Sequence, residues 1–387
     1  MIKFSEREYF SNSKENEMKD GKVGIGVVGV GCISDIYLNN ITNMFHEIEV
    51  IGVCDLIRER AEAGAEKYGI KKIYKDMYEL FADPEVDIVL NITRPYEHYE
   101  VTKAALMAGK HVYSEKSLSP SFEEGKELVA LAKEKGLMLG GAPDTFMGAG
   151  IQTARKLIDD GFIGDVVGGR AMFCSHGPEN WHPDGEFVYK YGGGPMLDMG
   201  PYYVTALVNL LGKAESVSGC VKTSFPQRPM LCGPKYGQMI DVEVPTYVMG
   251  EVAFENGALV SVFTTFDVFH NVNAQLEIYG TEGSIRVPDP NNFGGNVKVL
   301  RGRNYEYFVI PLLFNYTENC RALGLADMAK SLTSGRMHRA NYAQQLHVLE
   351  IMSSFEKSSK EGRRITLETP YERQAPMNCT VLPGYLD

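Results

Sequence analysis

The sequence predicts an α/β chain of two lobes: a doubly wound parallel sheet over residues 21–145, then an α+β lobe over 146–387 with a large, mostly antiparallel open sheet. Three observations carry that reading. Short apolar runs alternate with helical patterns from residue 22 onward, and a glycine-rich turn follows the first run. After Ala142-Pro143 the rhythm changes to closely set β-rich runs. A chain of 387 residues also exceeds one typical core, so two domains are expected.

Residues 1–20 read as a polar leader. In the first lobe, strand-like runs occupy 23–28, 48–54, 86–92, 111–114 and 137–140, with helical stretches near 33–45, 57–68, 98–109 and 121–135. The run Val86-Asp87-Ile88-Val89-Leu90 reads as a central strand buried on both faces, and Gly109 and Gly136 as helix stops. The second lobe opens with a helix at 151–159 and a strand at 166–173. Further β-rich runs follow at 214–223, 246–254, 258–266, 274–280 and 283–287, with turns at Gly257 and Glu282-Gly283. Helices at 319–333 and 341–359 close it, and His338 and His347 within that region read as structural.

Composition excludes several classes. The net charge of −11, with no basic block, argues against nucleic-acid or anionic-membrane partners. No apolar stretch approaches a membrane span. The first residues, with Lys14, Glu15 and Lys19, lack a signal peptide's apolar core, so a cytoplasmic protein is expected. Seven scattered cysteines form no C-x-x-C pair and eight histidines show no ligand spacing, so reduced thiols and no metal are expected.

Gly29-Val30-Gly31-Cys32-Ile33-Ser34 directly follows the first strand, and Asp55 closes the second. That is the strand–turn–helix–strand opening of a Rossmann dinucleotide-binding unit. Gly29 permits the tight turn and Gly31 a close backbone approach to a pyrophosphate. The helix starting beside Cys32 and Ile33 offers free N–H groups to the phosphates. Asp55 stands where an acid holds the adenosine ribose hydroxyls and repels a 2′-phosphate. NAD is therefore favoured over NADP, although Arg58 and Arg60 lie close by. The third fingerprint glycine is Ser34 here.

Two further constellations carry chemistry. Glu115-Lys116 follows the strand at 111–114, so its charges project into the crevice at the strand tips. Gly192-Gly193-Gly194 precedes a helix on which Asp198 and Tyr202, four apart, share a face, with Gly200-Pro201 distorting the turn between them. Together with Thr93-Arg94-Pro95-Tyr96-Glu97-His98 and the segment from Leu157 to Asp165, these motifs resemble the Gfo/Idh/MocA oxidoreductase family over residues 22–365. Ser117 replaces the proline of the family's E-K-P, and Tyr202 stands where many members carry a catalytic histidine.

The resemblance implies hydride transfer from a sugar, glycoside or polyol hydroxyl to NAD, possible ring positions including pyranose C3. It implies Lys116 and Tyr202 as the proton-accepting pair, with Asp198 orienting substrate or base. Tyrosine has an ordinary pKa of about 10. A neighbouring Lys116 ammonium would bring it toward use, or a desolvated Lys116 would itself be the base. Glu115 is expected to hold the nicotinamide-side ribose, with Thr93 and Pro95 in the cofactor loop. His98 is expected either beside the nicotinamide or packed at the strand end. The segment with His176, Trp181 and His182 reads as a carbohydrate wall, the other reading being a self-packed loop whose tryptophan fills the domain interface. Asp144 opens the second lobe as a further substrate contact. The resemblance also implies a homodimer or homotetramer. Two other functions share these residues: a glycosidase or lyase using transient C3 oxidation, and a non-enzymatic NAD(P)-binding sensor.

Overall fold

The computed structural model describes residues 21–269, 276–303 and 305–387; the expected leader, and the first two residues of the run at 274–280, lie outside them. Six parallel strands form the first sheet: β1 (Val23–Val28), β2 (Ile48–Cys54), β3 (Lys72–Ile73), β4 (Ile88–Asn91), β5 (His111–Ser114) and β6 (Leu139–Gly141). Their order, β3-β2-β1-β4-β5-β6, reverses direction between β1 and β4, which opens a crevice at the strand tips there. β1 and β4 are buried along their whole length because helices cover both faces.

The covering helices are α1 (Ser34–Asn43), α2 (Arg58–Tyr68), α3 (Met77–Ala82), α4 (His98–Met107) and α5 (Phe122–Lys135). Local chemistry sets their ends. Ser121 and Glu124 form a capping box at the start of α5, and Gly136 closes it in the left-handed region at φ 64°. The pair β3 and α3 was not anticipated: β3 is two residues long and carries no apolar run.

The second lobe begins with α6 (Ala149–Asp159), β7 (Val166–Cys174), α7 (Gly194–Asp198) and α8 (Gly200–Leu211). Then come β8 (Ala214–Lys222), the hairpin β9 (Gln227–Pro229) and β10 (Met239–Asp241), β11 (Tyr247–Phe254), β12 (Leu259–Thr265), β13 (Leu276–Gly280), β14 (Gly283–Val287), β15 (Val297–Arg301) and β16 (Phe308–Ile310). The chain ends with α9 (Leu323–Ser334), α10 (Tyr342–Glu361) and β17 (Ile365–Thr366). Nine strands join in the order β16-β15-β14-β13-β7-β12-β11-β8-β17, antiparallel except for β7 beside β12. Every residue of α8 is buried, which accounts for its mostly apolar text, interrupted only by Thr205 and Asn209.

The two lobes share packing beyond their sheets. α10 lies on α5 and β6 as well as on β8. Gln345 Nε2 donates to the Gly141 carbonyl at 2.8 Å. His338 and His347 are both buried, and His347 Nε2 accepts from the Ala214 N–H at 3.0 Å.

Arg228 of β9 anchors the loop that follows β7. Its guanidinium reaches Glu179 and Asp267, each at 2.7 Å, and the carbonyls of His176 at 2.9 Å and Phe266 at 2.6 Å. All three charged side chains are 6% exposed or less, so removing the cation strands two buried carboxylates. Arg228→Met is expected to lower the unfolding free energy in urea by about 3–5 kcal/mol. A loss below about 1 kcal/mol, the range of a surface pair, would contradict this role.

Candidate active site

The turn after β1 is shaped for an anion. Gly29 sits at φ 95°, and a Cβ there would lie 2.9 Å from the Ile92 carbonyl oxygen, so no other residue fits. Around Gly31 the reverse holds: a Cβ would meet no atom within 4 Å, and the backbone faces open space. Ser34 Oγ donates to the Gly31 carbonyl at 2.7 Å, giving this departure from the glycine fingerprint a turn-closing task. The residue ahead of α1, Ile33, supplies no side-chain cap; the Ser34 N–H turns back to the Gly31 carbonyl at 3.1 Å, and the next N–H groups of the first turn remain available near exposed Cys32.

Asp55 holds this turn from β2. The Val30 N–H donates to its Oδ2 at 2.6 Å and the Ile57 N–H to its Oδ1 at 2.7 Å. Leu56 and Ile57 follow, 95% and 44% exposed, an apolar ledge suited to an adenine ring. Arg58 pairs with Glu62 at 2.8 Å, whereas exposed Arg60 makes no ion pair among the described residues. These groups fit a dinucleotide: free helix amides for the phosphates, a carboxylate for the ribose, an apolar ledge for the base.

Farther along the crevice, Thr93 and Pro95 form the turn leading into α4. His98 is fully buried, with Nδ1 2.8 Å from the Ser117 carbonyl and Nε2 3.1 Å from the Thr93 carbonyl. Burial lowers its pKa, opposed by the bond to Ser117. This corrects the first of its two sequence readings: His98 packs beneath the cofactor loops and joins them instead of facing the cleft. Glu115 Oε1 accepts from the Tyr37 hydroxyl of α1 at 2.7 Å, and its Oε2 from the Lys116 N–H at 3.0 Å.

Lys116 and Asp198 arrive from opposite lobes and meet. Lys116 Nζ donates to Asp198 Oδ1 at 2.6 Å and to the Asp198 carbonyl at 2.7 Å. Ser117, in the cis Lys116–Ser117 peptide, donates to the Leu197 carbonyl at 3.1 Å. α7 stops at Asp198 and α8 restarts at Gly200, so the anticipated distortion is a clean break that frees the Asp198 carbonyl. Tyr202, in the first turn of α8, sets its ring centroid 5.5 Å from Lys116 Nζ.

Neither group stands ready as a base. Burial works against the Lys116 charge, but Asp198, Tyr202 and Glu115 outweigh it and hold the ammonium above the usual lysine range. Burial likewise pushes the Tyr202 phenol up, against the pull of Lys116 and Arg321. Arg321 was missed by sequence reasoning. It donates to the Tyr202 hydroxyl at 3.4 Å and to Asn291 Oδ1 at 2.8 Å, contacts that no local spacing announces.

The loop after β7 reaches back over the first lobe, where Arg94 pairs with its Asp184 at 2.5 Å. Trp181 is 69% exposed, so it does not fill the domain interface. It stands edge-on to His182, whose Nδ1 accepts from the Asp184 N–H at 3.1 Å. His176 stacks on Phe269 with centroids 3.7 Å apart, and burial lowers its pKa. Asp144 departs from expectation. It is 1% exposed and accepts from the Gly324 N–H at 3.0 Å, so it braces the start of α9 beneath the site and offers no surface to substrate.

Residues 23–141 match the family model described as "Oxidoreductase family, NAD-binding Rossmann fold", and residues 151–286 match the "GFO/IDH/MocA C-terminal domain". The fold and the crevice thus define an NAD-dependent oxidoreductase. The chain belongs to the Gfo/Idh/MocA family. It is 25% identical to myo-inositol 2-dehydrogenase of Thermotoga maritima over 355 residues, 89% of this chain and 98% of that protein. It is 28% identical to levoglucosan dehydrogenase of Pseudarthrobacter phenanthrenivorans over 244 residues, 59% of this chain and 62% of that one. A solved levoglucosan dehydrogenase in complex with NADH and levoglucosan shares the fold, with a TM-score of 0.76 at 22% identity over 89% of this chain and 99% of that one. Among the described residues, no helix is long and apolar enough to cross a membrane, and no His, Cys, Asp and Glu cluster could hold a metal ion.

Asp144 generates a pH prediction. Burial pushes its carboxyl up to about 6, against the Gly324 N–H and Arg321. The folded value exceeds the unfolded one of about 3.9, so the folded chain keeps this proton longer. Stability from this group is therefore lost as pH rises from about 4 through about 6. Asp144→Asn is expected to leave urea stability unchanged near pH 4 and raise it at pH 7 by on the order of 2 kcal/mol. Equal effects at both pH values would contradict the assignment.

Proposed function

We propose that this protein oxidises a hydroxyl of a sugar, glycoside or related polyol, with NAD as the acceptor. The observation that carries the reading is the meeting of Lys116, Asp198 and Tyr202 from two lobes at one crevice mouth. The names of the relatives, an inositol dehydrogenase and a levoglucosan dehydrogenase, support polyhydroxylated substrates. Trp181, exposed beside His182, supplies an apolar face for sugar C–H groups, and the Arg94–Asp184 pair holds that loop over the cleft.

Nicotinamide, when bound, supplies the hydride acceptor. Gly29, Gly31, Cys32 and Ile33 present the phosphate turn, Asp55 the adenosine-side carboxylate and Glu115 the carboxylate beside the reacting end. Lys116, held as an ammonium by Asp198, donates a hydrogen bond to the substrate hydroxyl and polarises the nascent carbonyl. Tyr202, once ionised to phenolate, accepts the hydroxyl proton, and Asp198 fixes the Lys116 ammonium and one neighbouring substrate hydroxyl. Pyranose C3 is the position we assign first, tested with glycosides and their 3-deoxy analogues. The open face of the nine-stranded sheet is the surface we assign to a homo-oligomer.

A panel of sugars and polyols with NAD should yield NADH absorbance for at least one compound class. Lys116→Met should lower kcat about 10²–10⁴-fold while NAD affinity, read by fluorescence titration, stays unchanged. Undiminished turnover in that variant would overturn the mechanism. Product formed with no change in NADH absorbance would replace simple oxidation by the transient-oxidation route.

A further inference from the structure

Two cations approach the Tyr202 hydroxyl, and their situations differ. Lys116 is engaged by Asp198 through both the carboxylate and the carbonyl, so its field at Tyr202 is that of an ion pair, with the carboxylate offsetting much of the ammonium. Arg321 has neutral hydrogen-bond partners, with the Glu115 and Asp144 carboxylates acting on it from farther away. Its guanidinium donates to Asn319 Oδ1 at 2.8 Å, Asn291 Oδ1 at 2.8 Å and the Tyr202 hydroxyl at 3.4 Å, and it makes no ion pair among the described residues.

Arg321 is also held in place. Asn40 of α1 donates its carboxamide N–H groups to the carbonyls of Asn319 at 2.8 Å and Arg321 at 2.9 Å. Ala322 follows in the left-handed region at φ 83°, turning the chain into α9. The helix that carries the phosphate-binding turn thus fixes the backbone of the arginine beside the tyrosine.

We propose that Arg321 is the cation that stabilises the Tyr202 phenolate, and so the residue that lets Tyr202 take the substrate proton. This rests on the reading of Tyr202 as proton acceptor given under Proposed function. The charged groups around the hydroxyl are Glu115 and Lys116 from the tip of β5, Asp198 at the end of α7 through its pair with Lys116, and Arg321 from the segment ahead of α9. Burial and Glu115 oppose ionisation; Lys116 and Arg321 favour it. The 3.4 Å contact is long for a hydrogen bond from a cation to a neutral phenol, and a phenolate charge would draw it in. In the forward reaction the substrate O–H proton passes to the Tyr202 oxygen. The carbonyl forms as the hydride leaves its carbon for the nicotinamide, and Tyr202 then releases the proton to solvent.

The test is a tyrosinate ultraviolet difference titration without cofactor or substrate. The wild type is compared with Tyr202→Phe, and Arg321→Met with the Arg321→Met/Tyr202→Phe double variant. In parallel, kcat is measured against pH. In Arg321→Met, Tyr202 ionisation and the acidic limb of kcat should both move alkaline by about one unit. Turnover at neutral pH should fall about tenfold and recover at high pH. Arg321→Lys, which keeps a charge, should fall between the two and serves as the reporter should the Met variant fail to fold. NAD affinity should be unchanged in both. An unmoved Tyr202 ionisation, or a loss confined to KM at every pH, would overturn the proposal and assign Arg321 to substrate binding. Full activity in Tyr202→Phe alone would instead overturn the proton-acceptor reading, and that result does not depend on Arg321.

Discussion

Lys116 and Asp198 lie on different lobes, and each side chain is too enclosed to carry its charge alone. They are 15% and 25% exposed, so separating them would leave a partly buried ammonium facing a partly buried carboxylate with water largely excluded. The lobes are therefore held in register at the candidate site. Three other cross-lobe contacts surround it: Ser117 to the Leu197 carbonyl, Arg94 to Asp184, and Asn40 to the carbonyls of Asn319 and Arg321. Each joins a strand tip or helix of the parallel sheet to a segment of the second lobe.

The site divides into buried supports and exposed contacts. His98, Tyr37 and Asp144 bind no solvent-facing group; they lock the loops after β4 and β5, the side chain of Glu115 and the start of α9. Gly31, Cys32, Leu56 and Trp181 have open surroundings. This division explains why titratable groups near the cleft behave differently. Burial neutralises His98 and favours the acid form of Asp144, whereas the Asp198 pairing keeps Lys116 charged.

Elements set by local pattern were legible in the sequence. β1, β2, β5 and the helices α1, α2 and α4 fall where apolar runs and glycine stops put them, and the G-x-G turn and Asp55 stand out at the tips of β1 and β2. Lys116 and Asp198 were legible because both sit at breaks, a strand tip and a glycine–proline turn. Tertiary facts were not. The two-residue β3, the hairpin β9–β10, β15 and the edge strands β16 and β17 owe their existence to neighbouring strands, not to their own text. Asp144 misled because a carboxylate at a lobe junction reads as exposed, whereas α9 closes over it. Arg321 escaped notice because it is brought to Tyr202 by Asn40, far away in sequence.

The central claim is that one small molecule touches Lys116 and Tyr202 at once, across the seam between the lobes. A crystal structure with NAD and a turned-over polyol tests it most directly. The account predicts a single substrate hydroxyl within hydrogen-bond distance of both Lys116 Nζ and the Tyr202 oxygen, with its carbon facing the nicotinamide. A substrate seated with every hydroxyl beyond reach of that pair would contradict it.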